Sequence, residues 1–558
     1  MNIICLALYD VLWGQSKAQA LLIKILKEKK ENNIIYISCM RYIQGYCNAM
    51  ANRIVDVAAP ATLKDKICEE CCANSKLVTR ALKIELKSLD KVLLQAPQKN
   101  TNKSLLIRWS LYESIILTKG ISKKLSQTGK AIFDFIPNNS EKLSSKIQSA
   151  LDLEKPSLAL TQHTAYTYNR LFSEECKKRG IPCYSINNSL NISHSNTSTL
   201  LFRDSPIDFY SQSIKEWPKY KKIPLNESEV SQCTSHLHSL MNGKGFAYSR
   251  KIVKQEDRTT QNNVKNISVF LSSYDELMAS KFSGLGLNSS SKVFKDQLEW
   301  ISWIFKFAAK NMNWRFTIRP HPREFILNQA GEISEHATQL IRIFKKKPNN
   351  VIVNMPSDGV AAYDLLYDSD IVLFSWSTVG LEASMLGIPA ITYFPEALLH
   401  PTELVITAKN KKELKKYIVR EAGECWSIWR SVQALRWVNY LYNASSVELG
   451  GKKSLLKRFA FKFLKNLPLN KELKRELEIR FSCTASMEKK QIYEMFARGD
   501  RSLQCLYFKS RTRESRSNEI KYVKESLISL FIDYIKLSGK KTCRYQDFAK
   551  NLLSESSK

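Results

Sequence analysis

The sequence predicts an α/β protein made of two doubly wound halves and a basic helical extension. Three observations support this fold class. Short β-rich runs alternate with helical patterns over the first 430 residues, a polar segment at 247–265 interrupts them, and strand signals fade beyond residue 430. Strands that alternate with helices form parallel sheets covered by helices. We therefore expect domains at 1–246 and 266–430, a linker at 247–265 and an extension at 431–558.

The first half contains two strand–helix–strand units. The first has strands at 3–8 and 34–38 around a helix at 18–30, and the second has strands at 157–161 and 183–186 around a helix at 166–178. Arg179-Gly180-Ile181-Pro182 ends the second helix, because glycine and proline stop a helical pattern. Residues 40–155 are less regular, and the sequence predicts little there.

The second half repeats this order after the polar segment. Strands are predicted at 267–271, 315–319, 350–353, 371–374 and 388–394, with helices at 294–310 and 379–386. The first of these helices is the better defined, since its apolar residues fall on one stripe: Phe294, Leu298, Ile301, Phe305 and Ala308.

The amino-acid composition excludes several classes of protein. No run of about 18 uncharged apolar residues occurs, so no transmembrane helix is predicted. The N-terminus lacks a basic leader and reaches Asp10 early, and the 13 cysteines are an odd number, so we expect a cytoplasmic protein with reduced thiols. Cys68 and Cys71 form one CxxC pair without a second pair, and we expect no metal site.

The net charge of +32 indicates a polyanionic or phosphate-bearing partner. Residues 431–558 hold 27 Lys/Arg and 13 Asp/Glu, and residues 452–465 form a basic amphipathic pattern. Such a helix either lies on an anionic membrane surface or packs on its own domains with a solvated basic face. Nucleic acid fits less well, because the basic run at 511–516 has no interleaved aromatic residues.

Ligands of an open parallel sheet bind at the carboxyl ends of its strands. Three polar segments of the second half follow predicted strands. They are Ser272-Ser273-Tyr274-Asp275-Glu276, Arg319-Pro320-His321-Pro322-Arg323 and Ser375-Trp376-Ser377-Thr378-Val379-Gly380-Leu381-Glu382-Ala383, the last followed by Gly387-Ile388-Pro389. Hydroxyls at a helix start suit a phosphate, and Glu382 one turn later suits a ribose diol. The alternative is that these serines cap the helix and Glu382 faces solvent.

These three segments together resemble the nucleotide-binding half of GT-B glycosyltransferases, in particular the bacterial capsule and surface-polysaccharide branch. The resemblance covers residues 267–394, is loose for 1–245 and absent beyond 430. It implies two facing Rossmann-like domains, with the donor in the second and the acceptor in the first. By this resemblance Ser377 and Thr378 contact the donor diphosphate, Glu382 the ribose, and Ser272 and Ser273 the same cleft.

The resemblance also suggests roles for charged groups. Arg319 suits bidentate contact with a phosphate or carboxylate. His321 either donates to the phosphate, protonates the leaving group or bonds a neighbouring backbone group. For the catalytic base, His163 and Asp10 follow strands of the first half, and Asp275 and Glu276 follow a strand of the second. The glutamate pair of retaining GT-B enzymes is missing, since Phe374 and Ala390 stand at those positions.

We therefore expect a metal-independent glycosyltransferase without a cofactor. Its partners are a nucleotide-sugar donor, a glycan or lipid-linked acceptor and an anionic membrane surface at the inner face of the plasma membrane, with no nucleic acid. Asp368-Ser369-Asp370 resembles the metal-binding DxD of GT-A enzymes, but it precedes a strand and so lies at the wrong edge of the sheet. Two alternatives remain: a polyol-phosphate transferase, and a non-catalytic scaffold that recruits export machinery.

Overall fold

The computed structural model describes most of the chain in fourteen stretches. These are residues 1–43, 45–51, 58–94, 102–120, 125–195, 197–245, 249–253, 264–283, 290–325, 333–423, 426–450, 470–511, 514–540 and 542–556. Most of the predicted linker and the basic amphipathic pattern at 452–465 lie outside the described residues.

The first sheet is doubly wound. In chain order its strands are β1 (Asn2–Ala7), β2 (Asn33–Ser38), β3 (Glu85–Ser88), β4 (Leu158–Gln162), β5 (Cys183–Asn188), β6 (Ser198–Arg203) and, from the far end of the chain, β13 (Ser446–Glu448). Their spatial order is β13-β6-β5-β4-β1-β2-β3, and β1 to β5 pair in parallel. The strand order reverses between β1 and β4, and this reversal creates a crevice above their carboxyl ends.

Eight helices of the described residues belong to this half. They are α1 (Trp13–Lys27), α2 (Asn48–Ala51), α3 (Ala61–Leu82), α4 (Lys103–Thr118), α5 (Gln127–Glu154), α6 (Thr167–Lys178), α7 (Pro206–Tyr220) and α8 (Glu227–Met241). The region that the sequence left open, residues 40–155, thus consists mainly of helices. Helix α4 packs against a helix of the second half, so it contributes to the junction between the two halves.

The second sheet is entirely parallel. Its strands are β7 (Lys265–Phe270), β8 (Trp314–Arg319), β9 (Val351–Val353), β10 (Ile371–Phe374), β11 (Ala390–Thr392) and β12 (Ile406–Thr407), in the spatial order β12-β11-β10-β7-β8-β9. Its helices are α9 (Tyr274–Ser283), α10 (Gln297–Ala309), α11 (Pro322–Phe325), α12 (Glu335–Phe344), α13 (Ala362–Tyr367), α14 (Val379–Met385) and α15 (Lys411–Glu421). This is the Rossmann strand order, with its switch point between β7 and β10. The predicted fold class of two Rossmann-like α/β units is confirmed.

The remaining helices are α16 (Ile428–Val438), α17 (Lys471–Phe481), α18 (Ser486–Arg498), α19 (Gln504–Ser510), α20 (Arg516–Ser538) and α21 (Tyr545–Ser556). They do not form a separate unit. Ile479 and Ile492 share a buried cluster with Ile3 of the first sheet, whereas α20 packs on α8, α16 and α21. Strand signals fade beyond residue 430 in the sequence, but β13 lies there and pairs antiparallel with β6. Three residues are too few to show a strand periodicity.

One hydrophobic cluster joins both halves. It combines Trp217 of α7, Phe374 of β10 and Trp437 of α16 with Tyr534 of α20, all at most 2% exposed. Burial of so many large side chains across the junction stabilises one arrangement of the two sheets. Among the described residues, none of the helices has the length and apolar character needed to cross a membrane.

Candidate functional site

The segments at the two switch points meet where the two halves of the chain pack together, and we call this junction the interdomain cleft. Helix α4 packs on α9, and Arg323 donates from Nη2 to the carbonyl oxygen of Ile116 at 2.7 Å. The charges of Glu276 and Arg323 also act on the phenols of Tyr112 and Tyr166 across the cleft. Groups that follow β4 in the first half therefore face groups that follow β7 and β8 in the second.

The floor of the crevice between β7 and β10 is a closed hydrogen-bond network. Ser272 is 2% exposed; its N–H donates to Gln297 Oε1 at 2.9 Å, and its Oγ accepts from Trp376 N at 3.1 Å. Ser375 donates to the phenol oxygen of Tyr393 at 3.1 Å. Ser273 is equally buried and donates to Asp275 Oδ1 at 2.5 Å. The predicted Ser272 and Ser273 thus hold the two loops at the switch point in place.

Glu382 lies beside the two hydroxyl residues that precede α14. Thr378 Oγ1 donates to Glu382 Oε1 at 3.0 Å, and Tyr363 OH donates to Oε2 at 2.9 Å. Ser377 Oγ accepts from Val379 N at 3.4 Å. Burial raises the pKa of Glu382. Ser377, Thr378 and Glu382 lie at the start of α14, although α14 has only seven residues, so its dipole adds little.

An aromatic pocket borders this network. Trp376, two residues after the end of β10, lies with its ring centroid 6.1 Å from Tyr274 and 5.6 Å from Phe394. Tyr274 in turn stacks on His336, with centroids 4.7 Å apart. Lys281, Lys295 and Asp296 complete the rim of the cavity. The cavity has a volume of about 30 Å³, room for a water molecule, whereas ordinary ligand pockets measure about 300 Å³ or more.

Arg319 points away from the interdomain cleft. Only 5% of it is exposed, and its Nη1 donates to Val360 O at 2.9 Å and to Asn354 Oδ1. Burial lowers its pKa to about 10. These bonds hold the segments after β9, so the structure gives Arg319 a positioning role where the sequence predicted phosphate contact.

Arg323, four residues further on, occupies the place that Arg319 was expected to fill. Its guanidinium contacts Asp275 Oδ2 at 3.1 Å from both Nε and Nη2, and Nε lies 3.5 Å from Glu276 Oε1. His321 accepts from Arg323 N through Nδ1 at 3.3 Å. Burial lowers the pKa of His321 to about 4, so the ring is neutral at pH 7 and carries its proton on Nε2. His321 is thus a hydrogen-bond donor.

Glu276 has the pKa expected of a proton-transfer group. Its side chain is 51% exposed and faces the cleft. The protein atoms around the cleft displace water and raise its pKa to about 7, although Arg323 opposes the shift. Asp275, on the same turn, is buried and held by Arg323 and Ser273. Of this pair, Glu276 is therefore the group that can exchange a proton with a ligand.

His163 follows β4 at the first switch point, as predicted. Its backbone adopts a φ of 37°, a left-handed conformation that is strained for a residue with a side chain. Its Nε2 is buried and has no hydrogen-bond partner among the described residues. Burial lowers its pKa to about 4, so the imidazole is neutral at pH 7.

Asp10 does not reach the cleft, contrary to the prediction from its place after β1. It is 0% exposed, and Tyr36 OH donates to both of its carboxylate oxygens at 2.9 Å. Ser75 also donates to it. Burial raises its pKa to about 6. Asp10 joins β2 and α3 beneath the first switch point, which is a structural role.

Asp368 and Asp370 lie at the amino edge of the second sheet, as expected. Asp368 pairs with Lys540 at 2.5 Å, and Asp370 accepts from Asn266 N at 2.7 Å. Asp370 therefore fixes the amino end of β7, whereas Asp368 holds the segment after α20. The described residues contain no group of three His, Cys, Asp or Glu side chains arranged to hold a metal.

Several residues of the site could not be identified as such from the sequence. Gln297, Tyr363 and Tyr112 reach the site from helices whose orientation depends on tertiary packing. Arg323 stands in the quoted motif, but nothing in the motif distinguishes the inward arginine from the outward one. A search for polar residues at helix starts could have found Gln297, since it is the first residue of α10.

The architecture defined by these two facing units is of the GT-B type. No protein-family model matches the chain, and no curated protein matches it. Similar solved structures include Thermosulfurimonas dismutans KpsC, a beta Kdo 2,4 transferase, at 12% identity, covering 53% of this chain and 82% of that one, with a TM-score of 0.32. A UDP-GlcNAc 2-epimerase from Methanocaldococcus jannaschii is 13% identical over 79% and 99%, with a TM-score of 0.28.

A third similar structure is the glycotransferase of kitacinnamycin, at 10% identity over 78% of this chain and 95% of that one, with a TM-score of 0.26. At such identities and TM-scores the similarity supports no statement about what this chain binds. The architecture itself rests on the strand order of the two sheets.

Proposed function

We propose that the chain is a glycosyltransferase that moves a sugar from a nucleotide-sugar to a surface-polysaccharide acceptor. One observation carries the proposal: Glu276, with its pKa raised to about 7, faces a cleft between two switch points. A general base works best when its pKa lies near the working pH. Ligand crevices on both sides of such a group bring two substrates together around it.

The donor is assigned to the second half. The indole face of Trp376 suits stacking on the base, Glu382 suits the ribose diol, and Ser377 and Thr378 suit the diphosphate. Each oxygen of Glu382 accepts one hydrogen bond in the protein, so each retains a lone pair for a ribose hydroxyl. The aromatic pocket and Glu382 flank the loop at 376–378, so a nucleotide lying along it reaches both.

The transfer step follows from this placement. Glu276 removes the proton of the acceptor hydroxyl, whose oxygen attacks the anomeric carbon of the donor. The bond between that carbon and the diphosphate oxygen breaks, and the nucleoside diphosphate leaves with the electron pair. Arg323 and the Nε2–H of His321 offset the charge that develops on the leaving group. His163 binds the acceptor from the first half.

A polyol-phosphate transferase is the second candidate, favoured by the His321–Pro322 pair next to Arg323. The two reactions differ in their product. Transfer of a sugar releases a nucleoside diphosphate, whereas transfer of a polyol phosphate releases a nucleoside monophosphate. The protein is incubated with UDP-, GDP-, CMP- and CDP-linked donors, and the released nucleotides are separated by chromatography. For the UDP-, GDP- and CDP-linked donors, a diphosphate indicates sugar transfer and a monophosphate indicates polyol-phosphate transfer. Chromatography of the recovered nucleotide-sugar shows whether its sugar has been epimerised and not transferred.

Glu382→Ala is expected to weaken donor binding by roughly 1–3 kcal/mol, because a partly buried carboxylate loses its bonds to the ribose. Isothermal calorimetry with the donor found above measures the change. The exposed Glu335→Ala serves as the control and keeps the wild-type affinity. Wild-type affinity in a folded Glu382→Ala protein would remove Glu382 from the site.

Turnover is expected to survive EDTA, because Asp368 and Asp370 lie at the amino edge of the second sheet, where Lys540 and Asn266 already hold them. The initial rate in an excess of EDTA over trace divalent ions is compared with the rate in Mg²⁺. A complete loss that Mg²⁺ reverses would contradict metal-independent catalysis.

Membrane contact remains a proposal that rests on the basic pattern at 452–465. Each Lys or Arg near an anionic surface contributes about 1 kcal/mol, and salt screens the attraction. The protein is expected to sediment with phosphatidylglycerol vesicles at low salt and to be released as salt rises. Reversal of charge at Lys457, Arg458 and Lys462 should abolish the binding. If the wild type ignores anionic vesicles at low salt, the pattern has another role.

A further inference from the structure

A second cavity lies at the junction of the two halves, apart from the donor crevice. It has a volume of about 410 Å³. The end of α7, the turn at Glu403, helix α16 and the start of α20 form its walls. Glu403 lies three residues before β12, so the cavity lies near the amino end of that strand, at the edge of the second sheet opposite the ligand crevice. A cavity of this size accommodates a small ligand, not a nucleic-acid duplex.

The charge of this cavity is strongly positive. Four cations and one carboxylate line it: Lys221, Lys222, Arg436, Arg516 and Glu403. Lys221 pairs with Glu403 at 3.0 Å, and the buried Arg436 is held by Glu519 and by Lys221 O. Lys222 and Arg516 are exposed and form no ion pair with any residue that the structure describes. Two positive charges therefore remain available to a ligand.

An exposed aromatic ring stands beside these charges. Trp429 is 50% exposed on α16, although most large aromatic side chains of the described residues are buried. Gln433, one turn later on the same face of α16, also lines the cavity. A flat indole face stacks on the C–H face of a sugar ring, an amide bonds its hydroxyls, and a cation binds its acidic group.

We propose that this cavity binds an acidic saccharide, a sugar segment that carries carboxylate or phosphate groups. The purpose of this binding rests on the proposed function. In a glycosyltransferase, the cavity would hold the anionic acceptor or product chain while the cleft adds a sugar. Binding itself does not depend on transfer, because none of the cavity residues belongs to the donor site. A negatively charged glycan also matches the net charge of +32.

The test measures binding of tetragalacturonate, a uronic-acid tetramer, to the full chain by calorimetry without donor. We expect measurable affinity that falls as salt rises, and at least about tenfold weaker binding in Trp429→Ala and in Lys222→Gln/Arg516→Gln. Lys306→Gln/Lys310→Gln, which removes two exposed charges on and just after α10, should bind as the wild type does. Neutral maltotetraose should bind at least tenfold more weakly than the acidic tetramer.

Each contrary outcome overturns the proposal. Equal weakening in the α10 variant means that overall charge attracts the tetramer. Unchanged binding in both cavity variants places the saccharide elsewhere. If phosphatidylglycerol vesicles, but not the saccharide, lose binding in the cavity variants, the ligand is a lipid phosphate. Donor affinity, measured in the same variants, should stay at the wild-type value, so a failure here leaves the donor site and the proposed transferase intact.

Discussion

Glu276→Gln is expected to lower kcat by about 10²–10⁴-fold, the usual contribution of a general base. Glutamine keeps the size of the side chain and its contact with Arg323 but cannot accept a proton. Donor affinity should change little, because glutamine still accepts a hydrogen bond from Arg323 and leaves the donor groups in place. Initial rates with saturating donor, together with calorimetry, measure the two quantities separately.

The pH dependence gives an independent check on Glu276. Its pKa is raised to about 7, and the base must be ionised to work. The logarithm of kcat/KM should therefore rise with pH up to about 7 and then level off, and this limb should vanish in Glu276→Gln. Glu335→Gln is the matched control on an exposed helix. A rate within twofold of the wild type in Glu276→Gln would exclude Glu276 as the base.

Glu519→Ala is expected to lower the free energy of unfolding by about 3–5 kcal/mol, because it leaves the buried Arg436 without its counter-charge. Glu519 is 0% exposed, and its Oε1 accepts from Arg436 Nε and from Leu225 N, both at 2.8 Å. These bonds tie α20 to α16 and to the start of α8. The midpoint of urea unfolding, followed by circular dichroism, measures the loss.

Two variants separate the ion pair from helix α20 as a whole. Glu525→Ala, exposed on the same helix, should shift the midpoint by no more than a surface substitution does. Arg436→Met/Glu519→Leu removes both charges and should be clearly more stable than Glu519→Ala. If the single and double variants are equally unstable, packing and not the uncompensated charge determines the loss.

The sheets could be predicted from the sequence because their strands are continuous apolar runs. Strand β10 begins and ends where predicted, and its four residues are all buried. Helix α10 starts three residues later than predicted, since Asp296 caps it by accepting from Glu299 N at 2.9 Å. The long helix α5 was not predicted; Pro137 inside it and its many polar residues obscure its periodicity.

Only part of the candidate site could be predicted, because chain order locates a loop but does not fix the direction of its side chains. Loops at strand ends can be located from the chain order, and Glu276, His321 and Glu382 were found in this way. The direction of a side chain within such a loop depends on tertiary contacts, which decided between Arg319 and Arg323. Asp10 was misplaced because the buried donors Tyr36 and Ser75 come from β2 and α3, and chain order does not reveal their proximity.

Hydrogen–deuterium exchange of the full chain with and without nucleotide tests the central claim most directly, because it locates the bound donor. With the nucleotide-sugar that gives turnover, amides at 272–276 and 375–382 should exchange more slowly, since a ligand at the second switch point covers them. Peptides at the first switch point should change only when the acceptor is added. Protection confined to the first half, or no protection at saturating donor, would contradict a donor site between β7 and β10.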